Sequence, residues 1–302
     1  MIHSTSTKNH YQWVQTDAMT PAEREKLQHK FKLTNEMLTY VTDQDESPNY
    51  VYDGDLDQEL VIVHVPYVID PDHFRYLTRP VSFLIHQGAL FTFNESSLLW
   101  VNQIFDSANQ NLEIKSPETF ILRSLFELMD SYIPIIKAIT KKRNQLDKLL
   151  NKDAKNKDLL ELSYLRQTLT FLLSAIQSNH TVLMRLSKNH FTADADQKMQ
   201  DLLEDATIEA EQVQRMIEIE TQVVDRIADT FDSIVNNNLN DTMKVLTIWS
   251  LTMAVPTIIT GFYGMNVRLP FASSHSSWLV AIGLSLLGVA WLLTALKVHH
   301  KM

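Results

Sequence analysis

The chemistry this sequence can offer rests on oxygen ligands, and they are concentrated in one stretch. Between Asp194 and Asp241 stand thirteen carboxylates against three cations, Lys198, Arg215 and Arg226. The whole 302-residue chain has a formal net charge of −9, so this stretch carries all of the excess negative charge. Carboxylates ranged along a helix can attract or coordinate hard divalent cations. The alternative for such a run is a solvated helix face. Directly after it, in an apolar setting, neutral side chains recur every three or four residues: Asn240, Met243, Leu246 (or Thr247), Ser250, Ala254, Thr257 and Gly261. That spacing marks one helix face, a candidate lining, with Met253 a rival for the Ala254 position. Met243 and Leu246 suit either a hydrophobic constriction that gates by excluding water or ordinary packing. Ser250 and Thr257 suit either the passage or bonds to their own helix backbone.

Other chemistry is excluded or unsupported. There are no cysteines, hence no disulfide, thiolate metal site or thiol catalysis. His64, His73 and His86 are scattered, and no Ser/His/Asp, metal-ligand or Walker spacing stands out, so an enzyme and an organic cofactor are not expected. The acidic balance argues against nucleic acid as a partner. His299 and His300 could take a transition metal or simply sit at a headgroup boundary.

Two elements must hold the candidate lining. Residues 245–262 and 278–296 are uncharged apolar runs of 18 and 19 residues, long enough to cross a bilayer. The alternative is a buried soluble hairpin. Pro256 should bend the first span, because it lacks a backbone donor. Lys244, Lys297 and Lys301 flank the spans, while Arg268 is the only charge in the connector 263–277. The positive-inside rule therefore predicts cytoplasmic termini. No apolar signal-peptide core occurs at the start.

Upstream, residues 1–115 read as a cytosolic α/β domain. Thr20-Pro21-Ala22-Glu23 is a capping box opening a helix to about Leu33. Tyr11–Thr16, Leu38–Thr42, Leu60–Val65, Ser82–His86 and Ala89–Phe93 read as strands, with a hairpin turn at Gln87-Gly88. Leu98–Ala108 reads as a short helix. Residues 116–192 form an antiparallel helical pair that opens at Ser116-Pro117-Glu118 and turns at Asn151–Asp158. In 193–244, Leu203, Ala206, Ala210, Val213, Ile217, Val224, Ile227, Phe231 and Ile234 make a coiled-coil-like seam broken only by Glu220. With neither Gly nor Pro before Pro256, this stalk helix should continue into the first span. From 194 to 262 it would measure roughly 100 Å at about 1.5 Å per residue.

At the end of that span stands Tyr263-Gly264-Met265-Asn266, led by Pro256, Thr257 and Gly261. With two C-terminal spans and a stalk helix before them, the chain resembles the CorA family of magnesium transport proteins. The resemblance implies an α+β cytosolic domain, a long stalk helix and two transmembrane helices, assembled as a funnel-like homopentameric channel in the plasma membrane. It implies Mg²⁺, with Co²⁺ or Ni²⁺ in reserve, as the transported ion. Tyr263, Gly264, Met265 and Asn266 would form the outer selectivity loop, where Asn266 amide oxygens and Gly264 carbonyls hold a hydrated ion. The first spans would line the pore with the stripe from Asn240 to Gly261, in which Asn240, Met243 and Leu246 match a polar ring followed by an apolar constriction. Mg²⁺ bound between cytosolic subunits would keep the channel closed, with Asp205 as a sensing carboxylate; the resemblance does not locate its partner in the N-terminal domain, for which Glu95 and Asp106 are candidates. The connector Val267-Arg268-Leu269-Pro270-Phe271 departs from the family in lacking an acidic residue up to Ser277. A zinc-transporting relative, and a membrane-anchored coiled-coil scaffold or sensor, are the competing readings. The tail, 297–302, carries the last basic residues.

Overall fold

The computed structural model describes residues 2–6, 11–17, 19–153, 155–193, 195–265 and 277–299. Two compact units divide it, Met1–Ala228 and Asp229–Met302.

The first unit is built on a six-stranded sheet. Its strands are β1 (Ile2–Ser6), β2 (Gln12–Asp17), β3 (Asn49–Asp53), β4 (Gln58–Asp70), β5 (Arg75–His86) and β6 (Ala89–Asn94), in the order β1-β2-β6-β5-β4-β3. All neighbours pair antiparallel except β2 and β6, which run parallel with Trp13 opposite Leu90. The β5–β6 turn is the expected one: Gln87 and Gly88 both have positive φ, 50° and 73°. Two such residues make the tight turn that matches strand twist, and glycine takes the second without strain. β4 is buried on both faces over its first half, which is why it reads as an unbroken apolar run rather than an alternating one.

Helices α1 (Pro21–Phe31) and α2 (Asn35–Thr42) cover one face of the sheet, where Leu27, Met37 and Leu38 join Val14, Leu60, Leu84 and Phe91 in one core. The capping box forms: the Thr20 N–H donates to Glu23 at 2.9 Å and the Glu23 N–H to the Thr20 hydroxyl at 3.3 Å. Leu38–Thr42, expected as a strand, is the second half of α2. Its β-branched residues suggested extended chain, but Thr34 caps the helix through the Met37 N–H at 3.3 Å, and burying Met37 and Leu38 on one helical face outweighs β propensity. Strand β3, which the sequence reading passed over, occupies the sheet edge instead.

On the other side lie α3 (Leu99–Gln110), α4 (Pro117–Asp130), α5 (Tyr132–Asp153) and α6 (Asn156–Leu186). Ser116 caps α4 as its sequence implies, accepting from the Thr119 N–H at 3.2 Å. The single helix expected from Ser116 onward is two, because Pro134 has no N–H to offer the carbonyl of Asp130. The turn expected over Asn151–Asp158 is shorter, since α5 runs to Asp153 and α6 begins at Asn156. A 3-10 turn, His190–Thr192, leads to α7 (Gln197–Tyr263), a helix of 67 residues that passes through Pro256 without ending. Helix α8 (Ser277–His299) is the last described element.

Helix α6 completes β4 where β3 has ended. β3 pairs with β4 only as far as Asn49 opposite Ile62, so His64, two residues on, has no partner in β3. The buried amide of Asn179 serves its backbone: Nδ2 donates to the His64 carbonyl and Oδ1 accepts the His64 N–H, both at 2.8 Å. Tyr132 Oη donates to the same carbonyl at 2.9 Å. Burial also holds the His64 imidazole below its ordinary pKa, keeping it neutral.

Candidate functional site

In the second unit, α7 and α8 are long and apolar enough to cross a membrane. They expose Trp249, Leu251, Ile258 and Phe262 on one and Trp278, Leu286, Leu287 and Trp291 on the other. Large apolar side chains bared at this density require a lipid or protein cover.

The two sides of α7 differ within this unit. From Val245 on, Ile248, Thr252, Val255, Pro256, Ile259 and Tyr263 are its partly covered residues, and Val255 and Ile259 meet α8 at Gly288. Asn240, Met243, Leu246, Ser250, Ala254, Thr257 and Gly261 are all exposed. At about 3.6 residues per turn, the mean directions of the two stripes lie roughly 175° apart. The candidate lining therefore lies opposite the covered stripe, within a wider exposed surface that also carries Trp249, Leu251, Ile258 and Phe262. Met243 and Leu246 are 55 % and 60 % exposed, so neither is packed against its own chain. Asn240 and Met243 also border an open hollow of ≈ 800 Å³ with Lys244, Thr247 and Leu296.

The hydroxyls on this face do bond their own helix. Ser250 Oγ donates to the Leu246 carbonyl at 2.9 Å and Thr257 Oγ1 to the Met253 carbonyl at 2.8 Å. Thr247 and Thr260 do the same with Met243 and Pro256. Using the hydrogen inward does not remove these groups from cation chemistry. A hydroxyl has one donor and two acceptor lone pairs, so the outward oxygen remains a hard, neutral ligand. Pro256 withdraws the donor that the Thr252 carbonyl would otherwise receive one turn earlier.

Helix α7 closes in its C-terminal motif. The Gly264 N–H donates to the Thr260 carbonyl at 2.9 Å and the Met265 N–H to the Phe262 carbonyl at 3.2 Å. A Cβ on Gly264 would lie 3.3 Å from the Thr260 oxygen, so this position is tight. Met265 is 56 % exposed. Asn266 and the connector to Ser276 lie outside the described residues, as do His300 and the end of the tail.

The CorA-like Mg²⁺ transporter protein family matches residues 8–300. The chain belongs to this family. It is 24 % identical to the cobalt/magnesium transport protein CorA of Methanocaldococcus jannaschii over 89 % of this chain and 86 % of that one. A magnesium transport protein CorA from Helicobacter pylori is also 24 % identical, over 86 % and 81 %. The complete structure of the CorA magnesium transporter from M. jannaschii superposes with a TM-score of 0.81 at 21 % identity, covering 97 % of this chain and 92 % of that one. The CorA fold is thus present in full: a soluble α/β unit, a long helix and two C-terminal apolar helices. CorA proteins are transporters, not enzymes.

The acidic stretch that stands out in this CorA-family chain is less uniform than its composition. Glu220, the only polar position in the seam of α7, is buried and held by α5. Arg143 Nε and Nη2 both donate to it at 3.1 Å, and the Thr140 hydroxyl donates at 2.9 Å. Asp225 pairs with Arg166 of α6 at 2.9 Å, and Glu211 with Arg215 at 3.3 Å and His180 at 3.5 Å. Asp196 is spent on the Met199 N–H at 2.8 Å, at the start of α7. Burial, reinforced by the nearby Asp130 charge, raises the Glu209 pKa. Asp205 is exposed. Glu95 sits 3.7 Å from Arg79 and accepts from the Ser97 hydroxyl at 3.0 Å, while Asp106 lies on an exposed hollow at the end of α3. Among the described residues of one chain, no group of three or more His, Asp or Glu side chains is arranged to hold a metal ion.

Arg143 is the residue the sequence reading missed. An acidic residue alone in an apolar seam demands a cation from another helix, and that demand was visible. Which of the basic residues on α5 would meet it was not.

Proposed function

We propose that five copies of this chain form a channel in the plasma membrane that admits Mg²⁺, and to a lesser degree Co²⁺ or Ni²⁺, to the cytoplasm. The observation that carries this reading is the polar-and-small stripe from Asn240 to Gly261, left exposed on the side of α7 away from α8 and leading into Gly264-Met265-Asn266. Mg²⁺ gives up its water shell reluctantly and favours hard oxygen. Neutral amide, carbonyl and hydroxyl oxygens can hydrogen-bond a hydrated ion without trapping it, as conduction requires. Asn266 and Gly264 serve as the outer selectivity site. Met243 and Leu246 form the constriction. Both termini face the cytoplasm, and the membrane potential drives entry with about 4.6 kcal/mol per 100 mV for a doubly charged ion.

Liposome flux tests the pore assignment. Asn266→Ala should abolish Mg²⁺ entry while leaving assembly intact; undiminished flux would defeat it. Parallel flux of Co²⁺, Ni²⁺ and Zn²⁺ separates the magnesium reading from the zinc one. A chain that moves no metal would be the membrane-anchored scaffold or sensor.

The exposed Asp205 supports a regulatory role in which cytoplasmic Mg²⁺, bound between subunits, holds the channel shut. On this reading Asp205→Asn should shift Mg²⁺ inhibition, or protection from proteolysis, to higher Mg²⁺. An unchanged Mg²⁺ dependence removes Asp205 from the sensing site.

A further inference from the structure

The covered side of α7 carries a second kind of information. On α8 the least exposed of the described residues are Ala281 and Ser285, each 9 % exposed, and the partly covered Gly288 and Leu292 continue the same face. Gly288 sits against α7 with no room to spare. A Cβ placed there would lie 2.7 Å from Val255 Cγ1 and 3.9 Å from Ile259 Cδ1. Non-bonded carbons rest about 3.5–4.0 Å apart, so any side chain at 288 must displace Val255. Gly283, on the same helix, has nothing within 4 Å, so the tightness is local and not a property of the helix.

Val255 cannot easily yield. It is β-branched, and a branched side chain in a helix has essentially one χ1 rotamer. It also immediately precedes Pro256, which restricts its backbone. The remaining way to relieve an overfilled seat is for α7 to move away from α8 or turn about its axis. Ala254 immediately precedes Val255 and Thr257 is two residues beyond it, and both belong to the exposed stripe. In the membrane there is little hydrophobic drive between helices, so close backbone approach at a small residue is what fixes such a contact.

We infer that Gly288 is a positioning residue for the pore: by seating Val255 it sets the radial position and rotation of Ala254 and Thr257. The inference rests on the proposed pore lining.

The test exploits the absence of cysteine from the native sequence. With Ala254→Cys as reporter, water-soluble thiol reagents measure exposure of the lining, alongside Mg²⁺ flux and the Mg²⁺:Co²⁺ flux ratio per assembled channel. Gly288→Leu should slow flux and change the labelling rate roughly tenfold, the scale of an overpacked contact. Gly288→Ala should shift both in the same direction by less, although alanine favours helix. Adding Val255→Ala should restore flux, ratio and labelling towards the parent. If Gly288→Leu does not reach the membrane, Gly288→Ala with and without Val255→Ala makes the same comparison. Unchanged flux and labelling, or a loss that Val255→Ala fails to recover, overturns the inference with the pore assignment intact. A reporter that no aqueous reagent reaches in the Gly288 protein defeats the pore assignment itself, and the role of Gly288 with it.

Discussion

Asn179 in the first unit and Thr257 in the second are both polar side chains on long helices, and their surroundings differ. Asn179 is fully buried and uses its donor and acceptor on the backbone of β4, at His64, beyond the end of β3. Thr257 spends one hydrogen on its own helix and turns its remaining oxygen capacity outward. Glu220 and Asn240 make the same contrast: the first is enclosed by Arg143 and Thr140, the second is exposed. In the first unit polar groups complete a packed fold, where an unpaired buried group costs about 1–3 kcal/mol. In the second they lie on a face the single chain leaves bare, so their use depends on what covers or passes that face.

Three substitutions sharpen or break this contrast. Largest is Glu220→Leu, which strands the Arg143 guanidinium in a mostly buried site and should cost about 3–5 kcal/mol in denaturant unfolding. Arg143→Leu added to it should recover most of the loss. A small effect from the single change would mean that Arg143 finds water, and that the seam is looser than its burial indicates. Next, Asn179→Leu leaves the His64 N–H unpaired and should cost about 2–3 kcal/mol, less than the loss of two bonds because Tyr132 still serves the His64 carbonyl. Smallest in stability is Thr257→Val, expected to change unfolding by less than about 0.5 kcal/mol, as at exposed sites generally. Its Mg²⁺ flux should nonetheless fall. A stability loss on the scale of Asn179→Leu would place Thr257 in packing, and equal flux would remove it from the lining.

Local signals with a mechanism of their own were legible in the chain. Thr20 and Ser116 announce helix starts, Gln87-Gly88 a hairpin turn, and the three-four repeat from Leu203 the seam. Leu38–Thr42 was misread because β-branched composition and helical burial pull opposite ways over five residues, and only packing against the sheet decides between them. β3 was missed because Asn49–Asp53, at the edge, lacks a sustained alternation of buried and exposed positions. The break at Ser131 could have been read from Pro134. At the candidate site, the face of α7 was legible as spacing, whereas its freedom from α8 was not.

The sequence by itself determined the order of elements, the two apolar spans, the acid-rich stalk and the stripe that ends in Gly264-Met265-Asn266. Periodicity, capping and hydropathy are local properties, written within a few turns of chain. Tertiary structure decided which carboxylates are consumed and which stay exposed, which amide completes β4 beyond the end of β3, and which side of α7 is closed by Gly288. Those outcomes depend on pairs such as Glu220 with Arg143, Asn179 with His64 and Gly288 with Val255. Each joins residues tens to more than a hundred positions apart, and a contact across that separation leaves no periodic mark on either partner.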